Sequence, residues 1–234
     1  MNILFCVTNF GFLRNFQSTI ATLAQRGHRL HLVADRTDTT GGMTMVEDLV
    51  ARYPAITYEI SPPARRGMWH AFTSAVRLTL DYWRYLEPRF AGAVHLRGRA
   101  ERQAPAPARA LVHLPLLRSV AGRRLLFRLL RAIERTIPIR AEVRALLHRQ
   151  SPDVLLLTPL LYFGSRQVEH VRAARELGIP SLLGVGSWDH LTTKGLIHEL
   201  PDHVAVWNEM QKAEAIDLHA VPAERLIVTG AQAY

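Results

Sequence analysis

The chain has 234 residues, 48% of them hydrophobic and 21% charged, proportions that exclude a disordered chain, a collagen-like repeat and a coiled coil. Its single cysteine, Cys6, excludes a disulfide framework and a cysteine-based zinc finger. The formal charge is +9, and it is concentrated: residues 64–150 hold 18 arginines, no lysine and five acids, a balance of +13, while the remainder sums to −4.

Asn2–Thr8 is a short apolar run that predicts a buried strand, followed by the turn residues Asn9 and Gly11. Phe16, Ile20, Leu23 and Ala24 repeat at helical spacing over Phe16–Arg26, and Gly27 stands where a helix of that length stops. Leu30–Ala34 predicts a second strand ending at Asp35, which completes a βαβ unit. A polar loop, Thr37–Thr44, and a short helix, Met45–Arg52, lead to a third strand, Ile56–Ile60.

Residues 64–150 read as a helical insert. Trp69, Phe72, Val76, Leu80, Trp83 and Leu86 give an apolar stripe, and a Pro/Ala linker, Ala104–Ala110, separates it from a second helical stretch, Leu116–Ile137. In that stretch Leu126, Leu130, Ile133 and Ile137 share one face, and Arg124, Arg128, Arg131 and Arg135 share another. A basic amphipathic helix suits an anionic membrane surface or an acidic partner; the plain alternative is a helix packed on the body with a solvated arginine face. The insert's aromatic residues (Trp69, Tyr82, Trp83, Tyr85) lie away from its densest arginines, which disfavours nucleic acid as the partner.

After the insert the alternation resumes: strand Asp153–Thr158, helix Arg166–Leu177 ended by Gly178, strands Ser181–Val185 and Val204–Trp207, helix Glu209–His219 and strand Arg225–Thr229. The expected fold is α/β, a Rossmann-like, mostly parallel sheet with helices on both faces plus the Arg-rich helical insert, all in one domain. The first residues lack a basic n-region, and no apolar run approaches the roughly 20 residues that cross a membrane. The expected location is therefore cytoplasmic, peripheral at most to the inner face of the membrane.

Ligands of such sheets sit at the carboxyl ends of the strands. The loop after the first strand, Thr8–Arg14, holds only one glycine and is not a dinucleotide fingerprint, so a nicotinamide dehydrogenase is disfavoured even though Asp35 stands where a ribose-binding acid would. The richest strand-end loop is Gly186–Gly195 (GSWDHLTTKG), which packs an indole, a carboxylate, an imidazole, hydroxyls and an ammonium into ten residues. Asp189 or His190 could take a proton from a substrate hydroxyl, Lys194 could pair with phosphate, and Trp188 offers a flat wall for a sugar. The alternative is a structural loop in which Asp189 caps a turn and Trp188 fills the core. The 11 histidines show no HExxH or similar pairing, so no metal site is expected, and GxSxG is absent, which disfavours a hydrolase triad.

The opening segment, MNILFCVTNFGFLRNFQSTIATLAQRGHRLHLVAD, resembles the start of GT-B glycosyltransferases: a strand, a short loop, a long helix and a Gly27-His28 turn into the second strand. The segment PDHVAVWNEMQKAEAIDLHAVPAERLIVTGAQAY is similar to the one that closes the N-terminal domain in those enzymes and in the related UDP-N-acetylglucosamine 2-epimerases. The loop SWDHLTTKG resembles the position of a Trp-His-Gly…Lys motif in CDP-glycerol glycerophosphotransferases; Trp188 and Lys194 match it, and Asp189 stands where the His would be, followed by His190. The resemblance covers about Met1–Ile60 and Ser151–Tyr234 and leaves the insert outside.

The resemblance implies the acceptor-side half of a sugar-nucleotide-dependent glycosyltransferase for a cell-surface polysaccharide or glycolipid, with the C-terminal donor domain expected elsewhere. Asp189 or His190 would activate the acceptor hydroxyl, Lys194 and Arg14 would face phosphate, and Trp188 would stack on a sugar. Asn9, Gly11, Ser187, Thr192, Asn208 and Glu209 complete the candidate substrate-binding set by their strand-end positions. No cofactor is expected in the chain; a nucleotide sugar enters as substrate, and a sugar or lipid-linked acceptor is the partner, with Arg124, Arg128, Arg131 and Arg135 toward anionic lipid. The rivals are a non-hydrolysing nucleotide-sugar 2-epimerase, a CDP-glycerol-type transferase domain, and a non-catalytic basic binding module.

Overall fold

Seven strands form one all-parallel sheet among the residues that the computed structural model describes, which are 1–37, 41–61, 68–111 and 113–231, with the backbone alone for Leu116 and Arg118. In chain order they are β1 (Asn2–Val7), β2 (Arg29–Ala34), β3 (Ile56–Ile60), β4 (Val154–Thr158), β5 (Ser181–Gly184), β6 (His203–Val206) and β7 (Leu226–Val228). The spatial order is β3-β2-β1-β4-β5-β6-β7. The chain therefore winds outward twice from β1, and the sheet has one switch point, between β1 and β4. In the central register Cys6 lies opposite Val33 of β2 and Leu157 of β4.

The inner strands are apolar runs because both sheet faces are covered there, whereas the edge strands leave Tyr58, Ile60, Ile227 and Val228 exposed. Alternate residues of β1 divide between the two layers: Ile3, Phe5 and Val7 join one core, and Leu4 and Cys6 join the other. The first core is closed by α1 (Gln17–Gln25) and α2 (Gly42–Arg52), through Ile20, Val46 and Leu49. Each such side chain removed from water stabilises the fold by about 1.5–3 kcal/mol.

The expected loop after β1 is instead a 3-10 helix, Phe10–Phe16, that runs straight into α1. Phe10, Leu13 and Phe16 are buried along it, and that spacing of three matches the three-residue 3-10 turn. Element ends elsewhere move by a residue or two from their expected positions, except that α2 begins three residues early, at Gly42.

The insert is more helical than its sequence predicts. It contains α3 (Met68–Arg84), α4 (Val94–Gln103), α5 (Ala106–Leu111), α6 (Pro115–Arg118), α7 (Val120–Thr136) and α8 (Ala141–Gln150); residues 64–67 of the expected insert lie outside the described residues. The anticipated linker over Ala104–Ala110 is mostly α5, because Pro107 sits in the first turn, where a missing N–H costs nothing, and alanine is the best helix former. Helices α9 (Val168–Glu176), α10 (His190–Thr193) and α11 (Glu209–His219) complete the chain, with α8 and α9 packed over the second core.

Two expected faces are corrected. On α3, Trp69 and Phe72 are exposed while Val76, Leu80 and Trp83 are buried, so only the later part of the stripe packs. On α7, Leu126 and Leu130 are half-buried, Ile133 is exposed, and Ile137 is buried just beyond the helix. Arg131 also departs from the expected solvent row. Its Nη1 donates to Glu134 Oε2 at 3.3 Å and to the His198 carbonyl at 2.6 Å.

That inward turn joins a buried charge network. His198 lies between Asp81 Oδ1 (2.9 Å) and Glu134 Oε2 (3.0 Å), and Arg77 Nε reaches Glu134 Oε1 at 3.0 Å. Burial opposes a charge on His198, but Asp81 and Glu134 override it and raise the imidazole to about 9. Burial would likewise raise Glu134; His198, Arg77 and Arg131 override it and hold the carboxyl at about 2. A buried ion set of this kind is strongly unfavourable to break, because any member left alone is an uncompensated charge.

Candidate functional site

The segment after β5 takes its shape from the insert rather than from the sheet. Arg84 Nη1 donates to the carbonyls of Lys194 (3.0 Å) and Gly195 (2.7 Å), and its Nη2 to that of Leu191 (2.6 Å). Tyr85 adds its hydroxyl to the Lys194 carbonyl at 2.5 Å, and Arg99 donates to the Thr193 carbonyl. Asp81 accepts from the backbone N–H of Leu196 (2.7 Å) with one oxygen and from that of Gly164 (2.8 Å) with the other. One carboxylate thus ties the loop after β4 to the loop after β5, and both lie at the carboxyl edge.

Within the loop, Asp189 is saturated. Ser187 Oγ donates to Oδ1 at 2.6 Å, and Thr193 Oγ1 (2.8 Å) and Lys194 Nζ (3.2 Å) donate to Oδ2. Partial burial would raise this carboxyl, but these three partners override it and hold it far below the usual carboxylate range. Asp189 is a poor proton acceptor in that state and serves as the knot of the turn. Thr192 Oγ1 bonds the Asp189 carbonyl at 3.2 Å and tightens the same turn.

His190 is buried, beneath the rings of Tyr162 and Phe12 at centroid distances of 6.1 and 6.4 Å. Burial lowers its pKa to about 4, with Lys194 adding to the shift and Asp189 opposing it, so the ring is neutral near pH 7. Trp188 is 74% exposed, which excludes a core role for its indole.

The other expected site residues are dispersed. Asn9 precedes the 3-10 helix and offers its carbonyl to Phe12 N–H at 3.1 Å; Gly11 lies within that helix, and Arg14 is exposed on it. Asn15, not Asn9, bridges toward the rich loop, through Nδ2 to the Gly186 carbonyl. Asn208 caps α11 by accepting from Gln211 N–H at 2.9 Å, and Glu209 pairs with Lys212 at 3.5 Å on the exposed first turn. Both sit at the end of β6, which is separated from the β1/β4 switch point by β5 as well as β4.

At the switch point itself is a cavity of about 430 Å³, lined by strand-end residues Thr8, Asp35, Arg36, Tyr162, Arg166 and Lys194 together with Arg99 of the insert. Four cations converge there with one carboxyl. Burial raises Asp35 to about 6, against the opposing pull of Arg166, Arg140 and Arg36. Arg166 Nη2 is fixed by the Asp35 carbonyl at 2.9 Å, and Lys194 Nζ stands 5.8 Å from the centre of the Tyr162 ring. The cavity thus brings an excess of positive charge beside a carboxyl raised toward neutral pH, although Lys194 is shared with Asp189.

Of the expected site residues, only Lys194 lines this cavity. Asp35 ends the expected second strand with Arg36 next to it, and Tyr162 lies just after the strand expected to end at Thr158. Arg166 reads there as the start of a helix, and Arg99 carries no local sign, since its partner Thr193 is 94 residues away. Among the described residues, no group of His, Cys, Asp and Glu is placed to hold a metal ion, and no helix is long and apolar enough to cross a membrane. Compared with known proteins, the chain matches no family model and no curated protein sequence.

Proposed function

We propose that the chain is the acceptor-binding domain of a sugar-nucleotide-dependent glycosyltransferase, working on a phosphate- or carboxylate-bearing saccharide or glycolipid of the cell surface at the cytoplasmic side. The observation that carries this is the cavity at the switch point, which Asp35 lines together with Arg36, Arg99, Arg166 and the Asp189-paired Lys194. A parallel sheet binds its ligand at that position, and four cations select an anionic one. The resemblance of the opening and closing segments to GT-B enzymes supplies the reaction class.

On this reading Asp35, not Asp189, takes the proton from the acceptor hydroxyl. A base is most effective when its pKa lies near the working pH, and burial brings Asp35 to about 6. Lys194 and Arg166 hold the anionic group, the neutral His190 stiffens the wall under Tyr162, and the exposed Trp188, on the same loop as Lys194, offers its ring to a sugar.

The test is transfer of labelled sugar from a panel of nucleotide sugars by the full-length protein, with anionic and neutral acceptors side by side. Asp35→Asn is expected to lower turnover by about 10²–10⁴-fold. In the unsubstituted protein kcat/KM should rise with pH through about 6, as Asp35 loses its proton, and then level off. Full activity in Asp35→Asn, or equal use of neutral acceptors, refutes the assignment.

A further inference from the structure

Helix α7 exposes large apolar side chains: Leu125 is 58% exposed, Leu129 51% and Ile133 41%, spaced four apart along one strip. At 100° per residue, Arg124, Arg128 and Arg135 run along one edge of that strip, and all three are exposed. The only acid of the helix, Glu134, points inward and is consumed by Arg77, Arg131 and His198. The outer surface of α7 therefore combines apolar groups and positive charge with no compensating carboxylate of its own.

A second feature adjoins it. Arg124 and Arg128 also line a cavity of about 480 Å³ between α3 and α7, whose walls include Trp83, Leu86 and Phe127. The arginines thus stand between an exposed apolar strip and a cleft of mixed lining, whose one carboxylate, Glu87, is paired with Arg89 at 2.8 Å. Helices α3 and α7 pack antiparallel, with Trp83 beside the N-terminal half of α7 and Arg77 beside Glu134 near its C-terminal end. The first turn of α3, with Met68 at 82% and Trp69 at 50% exposure, is carried toward that same end.

We propose that this face of the insert docks on an anionic phospholipid bilayer, with Leu125, Leu129 and Ile133 entering the interface and Arg124, Arg128 and Arg135 meeting lipid phosphates. Charge complementarity selects the occupant. A second copy of the same face would bring arginine against arginine, so the patch is not self-complementary. Nucleic acid would satisfy the arginines but leave the leucine strip in water, whereas a bilayer interface satisfies both. The inference stands without the transfer reading, because it uses none of the cavity at the carboxyl edge.

Vesicle flotation of the full-length protein tests it, using phosphatidylcholine alone and phosphatidylcholine mixed with phosphatidylglycerol, beside a DNA duplex. Binding to the anionic vesicles alone is expected. Each arginine replaced among Arg124→Gln, Arg128→Gln and Arg135→Gln should weaken it about fivefold, and Leu125→Ser with Leu129→Ser about tenfold or more. These side chains are exposed, so the variants should keep the unfolding temperature of the parent. Equal binding to neutral vesicles, retention by all variants, preference for the duplex, or binding to neither surface overturns the proposal.

Discussion

His198 gives the sharpest quantitative prediction. Its imidazole is wholly buried between Asp81 and Glu134, and its pKa stands at about 9 against an ordinary 6.5. A shift of that size corresponds to about 3 kcal/mol of stability at about 1.4 kcal/mol per unit. Because the folded state holds the proton more tightly, that contribution is complete below about pH 6.5 and is lost as pH rises through about 9. Between neutral pH and about pH 10 the unsubstituted protein should lose most of it, equivalent to about 6–12 °C in Tm for a chain of this length. The assay is thermal unfolding from pH 7 to 10, with His198→Gln as the non-titrating comparison. The variant should be less stable at pH 7 and should decline less steeply with pH, so that the two curves approach one another at the alkaline end. Should the variant not fold, the ring nitrogens of His198 in the unsubstituted protein can be followed by NMR. Equal alkaline slopes, or a ring that titrates at or below 6.5, would refute the reasoning.

Gly195 and Trp188 give two further predictions of opposite kind. A Cβ at Gly195 would stand 2.6 Å from Asp81 Oδ1 and 3.0 Å from the Leu161 carbonyl. Asp81 cannot retreat, since it also holds Leu196, Gly164 and His198, so Gly195→Ala should cost about 1–3 kcal/mol, measured by urea unfolding; an unchanged midpoint would show that the loop can shift freely. Trp188→Ala should alter stability by no more than about 0.5 kcal/mol, because the ring is 74% exposed, yet weaken calorimetric affinity for the sugar ligand identified by transfer by about tenfold. A large fall in unfolding temperature would mean that the indole packs after all.

The sheet was legible in the sequence because its inner parallel strands are buried on both faces and therefore appear as unbroken apolar runs between helical stretches. The helix of Phe10–Phe16 was not, since Asn9 and Gly11 look like turn residues and a spacing of three over one short segment carries little periodic signal. The α7 face was half legible: its arginine row stood out by spacing, but the inward turn of Arg131 did not. An Arg–Glu pair three apart is as much at home on a solvated face, and the His198 carbonyl that receives Arg131 is 67 residues away. The partners that determine the charges were not legible. Asp81 and His198 are 117 residues apart, and Asp35 differs from Asp189 only in surroundings, being buried among cations where Asp189 is tied by its own neighbours.

The bracing of the loop after β5 has a consequence for any attempt to move it. The carbonyls of Leu191, Lys194 and Gly195 find their donors on Arg84 and Tyr85, more than a hundred residues earlier. Transplanted to another sheet with its own ten residues intact, the loop would keep the Asp189 turn and lose the mould that sets the rest. Residues 187–196 therefore travel with the stretch from α3 through α4, which supplies Asp81, Arg84, Tyr85 and Arg99: the segment that carries the reactive groups keeps its shape only if the segment that braces it moves too.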